Sequence, residues 1–398
     1  MVIVTQSALT SLLQKSPEEQ KARGYFHTAG EIASQPEVWR KTGVLVHAAL
    51  PGLSAFLSGT RRLLLSGAGT SHYVSLSLQP LLSGFFDCVE AIASTEIVVD
   101  PESALPREPF VLVSFARSGE SPESNAVISL AERLRPGLVK QLAVTCNREG
   151  ALVHLVESLG GRGFVLTLPE ESNDSGLAMT SSFSSLCIAG AALAYLDKAE
   201  EYDKLVERFA SLGGSMIDRA SDLGSRLASE DFERAFFVAS RPFLGGAFEA
   251  RLKVQELTAG TIIGSTEDSL GFRHGPLAAV NDRSLIVVFL SSDARRRRYE
   301  LDLLGEIRGK RLGKRLVAAS SDVSGLSGLA DFVLDFGANG LGGAVPDSLL
   351  SVFVGVTGQL IGLFASLGCG LRPDEPSPDG VISRVVHGVR IYPENEER

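Results

Sequence analysis

The sequence predicts an α/β protein built as two tandem units. Each unit is a parallel sheet flanked by helices, a three-layer flavodoxin-like sandwich. Three observations carry this. Short apolar runs without polar alternation recur along the chain, as expected for strands buried on both faces. Stretches with helical periodicity separate them, the alternation of a parallel α/β sheet. The pattern also restarts near residue 235.

In the first unit the strands read as residues 62–66 (RLLLS), 110–115 (FVLVSF), 141–145 and 164–168, with helices from about 73, over 122–134 and from about 179 to 199. In the second they read as 235–239 (AFFVA), 285–290 (LIVVFL), 315–319 and 332–336, with helices near 247–259, 301–307 and 348–367. Each unit spans about 150 residues, in keeping with a common domain size. The expected boundaries are a helical extension over 1–42, a first domain over 43–200, a second over 214–370, and a tail over 371–398 that folds back over the site. Ser16-Pro17-Glu18-Glu19 is a good helix start, with Ser at the N-cap and Pro at N1. Ser34-Gln35-Pro36 reads as a break in the extension. The polar helical stretch 203–229 reads as the linker between units.

Composition narrows the function. The chain has 398 residues, 44% hydrophobic and 21% charged, and a formal charge of −9. An acidic balance argues against a nucleic-acid partner, but leaves room for a small anion held by local groups. Cys88, Cys146, Cys187 and Cys369 are far apart, without a C-x-x-C pair. They suit reduced thiols in a cytoplasmic protein better than a zinc site or a disulfide framework. No basic segment leads into an apolar run at the N-terminus, so no signal peptide is expected. Residues 348–368 approach membrane-spanning length. Gln359 sits in their middle and Gly and Ser are spread along them, so a buried core helix is expected and no membrane partner.

Ligands of open parallel sheets bind at the carboxyl ends of the strands. There the first unit places SGAGTS (66–71) and SFARSGES (114–121). Their glycines admit an anion close to the backbone. Gly69, Thr70, Ser71, Ser118 and Ser121 bring N–H and hydroxyl donors at helix starts, and Arg117 brings a charged donor. One such loop alone is an ordinary structural turn; two on neighbouring strands point to phosphate. A nucleotide is excluded on detail, since G-x-x-x-x-G-K-[ST] is absent and His72 stands where G-x-G-x-x-G needs its third glycine. In the second unit Glu256 suits a general base and His274 a proton donor near neutral pH. Each also has a plain reading, as a solvated helix residue and a loop residue. The run of arginines at 295–298 reads as a solvated helix face.

The strings GAGTS, SFARSGESPES, VTCNREGAL, KVQELTAG and LGFRHGPLA resemble the double sugar-isomerase (SIS) domain proteins of the tagatose-6-phosphate ketose/aldose isomerase family, also described as galactosamine-6-phosphate deaminase/isomerase. They are also similar to the isomerase half of glucosamine-6-phosphate synthase, as is HTAGEIASQPEVW before the first unit. The resemblance covers residues 27–388. It implies that Thr70, Ser71, Ser118 and Ser121 hold the phosphate and nearby hydroxyls. It makes Glu256 the shuttle of a proton between C1 and C2, and has His274 open the ring, reaching in from a neighbouring subunit. Lys253 would lie near the same face.

The sequence departs from the synthase at Ala116 and Arg117, which shifts phosphate contacts toward Arg117. The nearest match to the synthase's substrate-contacting lysine is Arg384, which could stabilise an enolate or enolamine without forming a Schiff base. Glutamine-fed amination is not expected, since Val2, not Cys, follows Met1. The implied activity is aldose–ketose isomerisation of a hexose phosphate, with a deaminating isomerase of galactosamine 6-phosphate or glucosamine 6-phosphate favoured. Water would release ammonia, which would also class the chain as a hydrolase. The alternatives are tagatose-6-phosphate isomerisation without deamination and a non-catalytic sugar-phosphate sensor. No metal or other cofactor is called for. A homodimer or larger assembly with its site at the interface is expected.

Overall fold

A computed structural model of the chain describes residues 6–337, 345–377, 379–386 and 388–392. Residues 1–5 of the expected extension and 393–398 of the expected tail lie outside them. Ten strands form two five-stranded sheets, all neighbours parallel. The first holds β1 (Arg62–Ser66), β2 (Cys88–Ala91), β3 (Phe110–Ala116), β4 (Val139–Thr145) and β5 (Gly163–Thr167) in the order β2-β1-β3-β4-β5. The second holds β6 (Arg234–Ala239), β7 (Ile263–Glu267), β8 (Ser284–Leu290), β9 (Arg315–Ser320) and β10 (Phe332–Asp335) in the order β10-β9-β8-β6-β7. Read from the other edge, the second order repeats the first, strand for strand.

The expected α/β class and tandem arrangement are observed. Two strands are additions to the sequence reading, β2 and β7. Both are edge strands of four or five residues that mix polar and apolar side chains (CVEA, IGSTE), so neither carries the apolar run that marks a central strand.

The helices are α1 (Ala8–Leu13), α2 (Pro17–Arg23), α3 (Phe26–Leu57), α4 (Thr70–Leu82), α5 (Ser94–Val99), α6 (Pro101–Ala104), α7 (Pro122–Leu134), α8 (Ala151–Glu157), α9 (Ser181–Ala191), α10 (Ala199–Leu227), α11 (Leu244–Leu257), α12 (Ala294–Gly309) and α13 (Asp347–Gly368). The Ser16 hydroxyl accepts from Glu19 N at the start of α2, as its cap sequence predicts.

The break expected at Pro36 is absent: α3 runs straight through it and past residue 42. Proline lacks the N–H that would bond the carbonyl four residues back. That carbonyl belongs to Ile32, and Gln35 Nε2 donates to it at 3.2 Å. The stretch expected as a linker is α10. Its apolar stripe, including Tyr202, Phe209 and Met216, is buried against α3 and α13. The arginine run also needs correction. Arg297 is buried, donating to Ser320 Oγ and Ser324 O.

Strand residues alternate between the two faces. Along β3, Val111, Val113 and Phe115 face the central core, and Phe110 and Leu112 face the layer of α5, α7 and α8. The central core is continuous between the halves, joining Trp39, Phe183 and Phe209 to Phe237, Phe289 and Phe353. α13 runs through it, against α4 and α9 of the first half and α10 and α11. It is apolar and long enough to cross a membrane, but 94% of its most apolar stretch is buried inside the protein. Gly358 lies so close to α11 that a Cβ would fall 2.2 Å from Ala250 Cα.

Candidate active site

Five parts of the chain meet in one cavity of about 380 Å³. They are the two Ser/Gly loops, Leu177 and Met179 before α9, the last turns of α11, and the tail between residues 381 and 386. Gly69, Thr70, Ser71, Arg117, Ser118, Ser121, Lys253, Glu256 and Arg384 all line it. A larger cavity, about 700 Å³, opens at the other end of the first sheet, beside Arg62 and Lys140. It holds none of these groups.

The loops present donors as the sequence implies. Gly69 precedes α4 at φ 56°, a backbone that strains any residue with a Cβ. Gly67 is packed so closely that a Cβ would sit 2.6 Å from the carbonyl carbon of Ser71. The chain therefore turns sharply enough for Thr70 and Ser71 to open α4 at the cavity. Ser121 caps α7 across from it. Two helix N-termini thus converge, each turning the positive end of its dipole to the cavity. The second loop is braced by Asn147, whose Nδ2 donates to Ser118 O at 2.8 Å.

Opposite the loops, α11 supplies charge. Lys253 is fully buried, with Nζ 2.6 Å from Glu256 Oε2 and 3.5 Å from Glu249 Oε1. Burial pulls the Lys253 ammonium down, but the two carboxylates outweigh it and its pKa is raised. Glu249 is fully buried, and burial pushes its carboxyl up to about 7. Lys253 and Thr70 pull it down and Glu256 raises it further. Glu249 is a functional candidate that the sequence reading missed. Its signal was there: Glu249, Lys253 and Glu256 stand at i, i+4 and i+7, one charged face on an otherwise packed helix.

Arg117 and Arg384 line the cavity, but their donors are engaged elsewhere. Arg117 Nη1 donates to Leu177 O at 3.0 Å and Gly176 O at 3.4 Å, and Nη2 to Arg384 O at 2.5 Å. The Arg384 guanidinium donates to Asp174 O and to Asn173 Oδ1. His274 is not brought to this cavity. It is exposed on the loop after β7, which Asp268 and buried Phe272 hold in place. Among the described residues, no group of three or more His, Cys, Asp or Glu side chains is arranged to hold a metal ion.

No protein-family model matches the chain. A D-galactosamine-6-phosphate deaminase AgaS of Shewanella sp. (strain ANA-3) is 33% identical over 395 residues, covering 96% of each protein. A Streptomyces coelicolor protein, a candidate D-galactosamine-6-phosphate deaminase AgaS by its description, is 42% identical over 380 residues, 93% of this chain and 96% of that one. The chain belongs to the AgaS family. The crystal structure of a candidate tagatose-6-phosphate ketose/aldose isomerase from Clostridium novyi superposes with a TM-score of 0.88 at 34% identity, covering 96% of this chain and 98% of that one. Membership makes the chain a sugar-phosphate isomerase/deaminase, and the sensor reading is not favoured. The hydrolase class is corrected: these relatives are deaminases and a ketose/aldose isomerase by name.

Proposed function

We propose that the chain converts galactosamine 6-phosphate to the ketose 6-phosphate with loss of ammonia. One observation carries this reading: a single cavity joins two phosphate-type loops of the first half to the Glu256–Lys253–Glu249 cluster of the second. In this reading residues 43–200 bind the phosphate and residues 214–370 supply the acid–base chemistry. The α4 and α7 N-termini, with Thr70, Ser71, Ser118 and Ser121, bind the dianion.

Glu256 takes the C2 proton of the opened sugar and returns it at C1. The charge that develops on the C1–C2 unit falls beside Lys253, whose ammonium lies within reach of Glu256 and opposes it. The nitrogen left at C2 as an imine is released as ammonia when water adds.

His274 opens the ring from a neighbouring subunit. Its exposure away from its own cavity supports this, and with it a homodimer or larger assembly. Arg117 and Arg384 serve the cavity by fastening the tail above it. The four free thiols are in keeping with a cytoplasmic site of action.

Isomerisation without deamination is the second reading, favoured by the structural neighbour described as a ketose/aldose isomerase. Purified protein given galactosamine 6-phosphate should release ammonia and ketose phosphate in equal amounts. Turnover of tagatose 6-phosphate without activity on the amino sugar would replace the first reading with the second. Turnover of neither would end both.

A further inference from the structure

Glu31, on the second turn of α3, has no part in the chemistry above, yet it is half-buried beside two other carboxylates. Burial first, then Asp174 and Asp374, push its carboxyl up to about 7. A buried carboxylate beside others is costly unless its bonds do something for the fold. Its Oε1 accepts from Ser175 N at 2.6 Å and Gly176 N at 3.1 Å. The loop is seated so tightly that a Cβ on Gly176 would lie 3.1 Å from both Glu31 Oε2 and Thr28 Oγ1.

Other polar groups of the same loop hold the tail, directly or through Arg117. The carbonyls of Gly176 and Leu177 receive Arg117, which also grips Arg384 O. The Asp174 carbonyl and Asn173 side chain receive the Arg384 guanidinium. Leu177 N donates to Asp374 O, and the Asp374 carboxylate accepts from Thr28 N and Thr28 Oγ1, one turn before Glu31. The Asp174 carboxylate is committed elsewhere, capping the start of α9 through Ser181 N and Ser182 N. Among the described residues, Glu31 alone takes its central N–H pair.

We infer that Glu31 is a positioning residue, holding the 173–177 loop in the conformation in which Arg117 and Arg384 fasten the C-terminal tail across the cavity. Without it the two N–H groups lose their acceptor and the loop carbonyls lose their orientation. The arginines then have no fixed partners and residues 381–386 lift from the cavity. The sheets are untouched, because the bonds of the Glu31 carboxylate go to Ser175, Gly176 and Thr180, none of them in a strand.

This rests on the proposed reading of the cavity, but its first readout does not need substrate. Amide hydrogen exchange of the full-length protein without ligand is compared for the wild type, Glu31→Ala, Glu31→Gln and Arg384→Ala. Glu31→Ala is expected to speed exchange in residues 174–177 and 381–386 by about tenfold or more, with the sheets unchanged. Arg384→Ala, a substitution in the tail, should speed the 381–386 segment alone. Glu31→Gln keeps an oxygen for both N–H groups and should exchange like the wild type.

With galactosamine 6-phosphate, Glu31→Ala should raise KM by about tenfold and change kcat by less than about threefold, the signature of lost ground-state binding. Unchanged exchange at the tail in Glu31→Ala would overturn the inference, as would acceleration spread evenly over the chain or failure of Glu31→Gln to restore the wild-type pattern. A wild type inactive on the sugar would defeat the functional reading and leave the exchange result to decide this one.

Discussion

The carboxyl edges of the two sheets make an instructive pair. After β3 the first half presents Ser118, Gly119 and Ser121 to an open cavity. After β8, the matching strand of the second half, stand Ser291, Ser292 and Asp293, also opening a helix. Their donors are already taken. Ser291 Oγ and Ser292 N donate to Asp347 Oδ2 at 2.6 and 2.8 Å, Ser292 Oγ to Asp347 Oδ1 at 2.9 Å, and Ser291 N to Glu300 Oε2 at 2.7 Å. In the proposed reading a substrate phosphate is met at the matching helix start after β3, so the duplicated architecture is used twice with opposite endings: donors that meet a ligand, and donors satisfied by an internal carboxylate. On that reading phosphate binding depends on withholding the acid as much as on supplying the hydroxyls.

The comparison can be broken at several points. The largest effect is expected where both halves meet. Glu256→Gln should lower kcat by about a thousandfold, within the usual range for a general base, while leaving sugar-phosphate binding intact by calorimetry. Retained turnover would move the base elsewhere. Next, Asp347→Ala leaves three donors of the second half without their acceptor. It should cost about 2 kcal/mol in denaturant melts and leave KM within about twofold. A neutral result would mean that water replaces the carboxylate and the internal-anion comparison fails. Ser71→Ala should raise KM by about tenfold with unchanged stability, the reverse pattern, since its partner is the ligand.

The smallest effect concerns pH. Glu249 is raised from 4.5 to about 7 by burial. The folded state therefore holds this proton more tightly than the unfolded chain. The resulting stabilisation is full below the unfolded value and is lost as pH rises through about 7. Thermal melts from pH 5.5 to 8.5 should show a falling Tm, less steep in Glu249→Gln. Glu31 contributes the same sign and remains in that variant. Identical slopes would show that Glu249 does not titrate there.

Most of the architecture was legible because central parallel strands must be apolar on both faces, as in FVLVSF and LIVVFL. The edge strands β2 and β7 were not, since one side of each lacks a neighbour and polar residues intrude. The two loops that line the cavity were legible from Gly and Ser types at the strand ends. Glu256 and His274 gained their meaning from resemblance, since neither is distinctive by position. Glu31 escaped for a physical reason: its partners Ser175 and Gly176 lie over a hundred residues away and are not written in local sequence. Glu249 had a local signal in its charged helix face, but its complete burial was not legible. Arg117 was legible as a cation near the site, but its partner Arg384 O is in place only once the tail has folded back.

The path of α13 bears on how the chain is made. Among the described residues this helix is the last regular element to leave the ribosome, yet α4 and α9, finished more than a hundred and fifty residues earlier, pack against it. Until residue 368 has emerged, the inner faces of both halves lack a common partner, and the nascent first half carries exposed apolar surface at α9. The two sheets are therefore not successive folding events that happen to share a chain. Synthesis must pass residue 368 before either half is sealed, and a truncation that spares every residue of the first half would still leave it open.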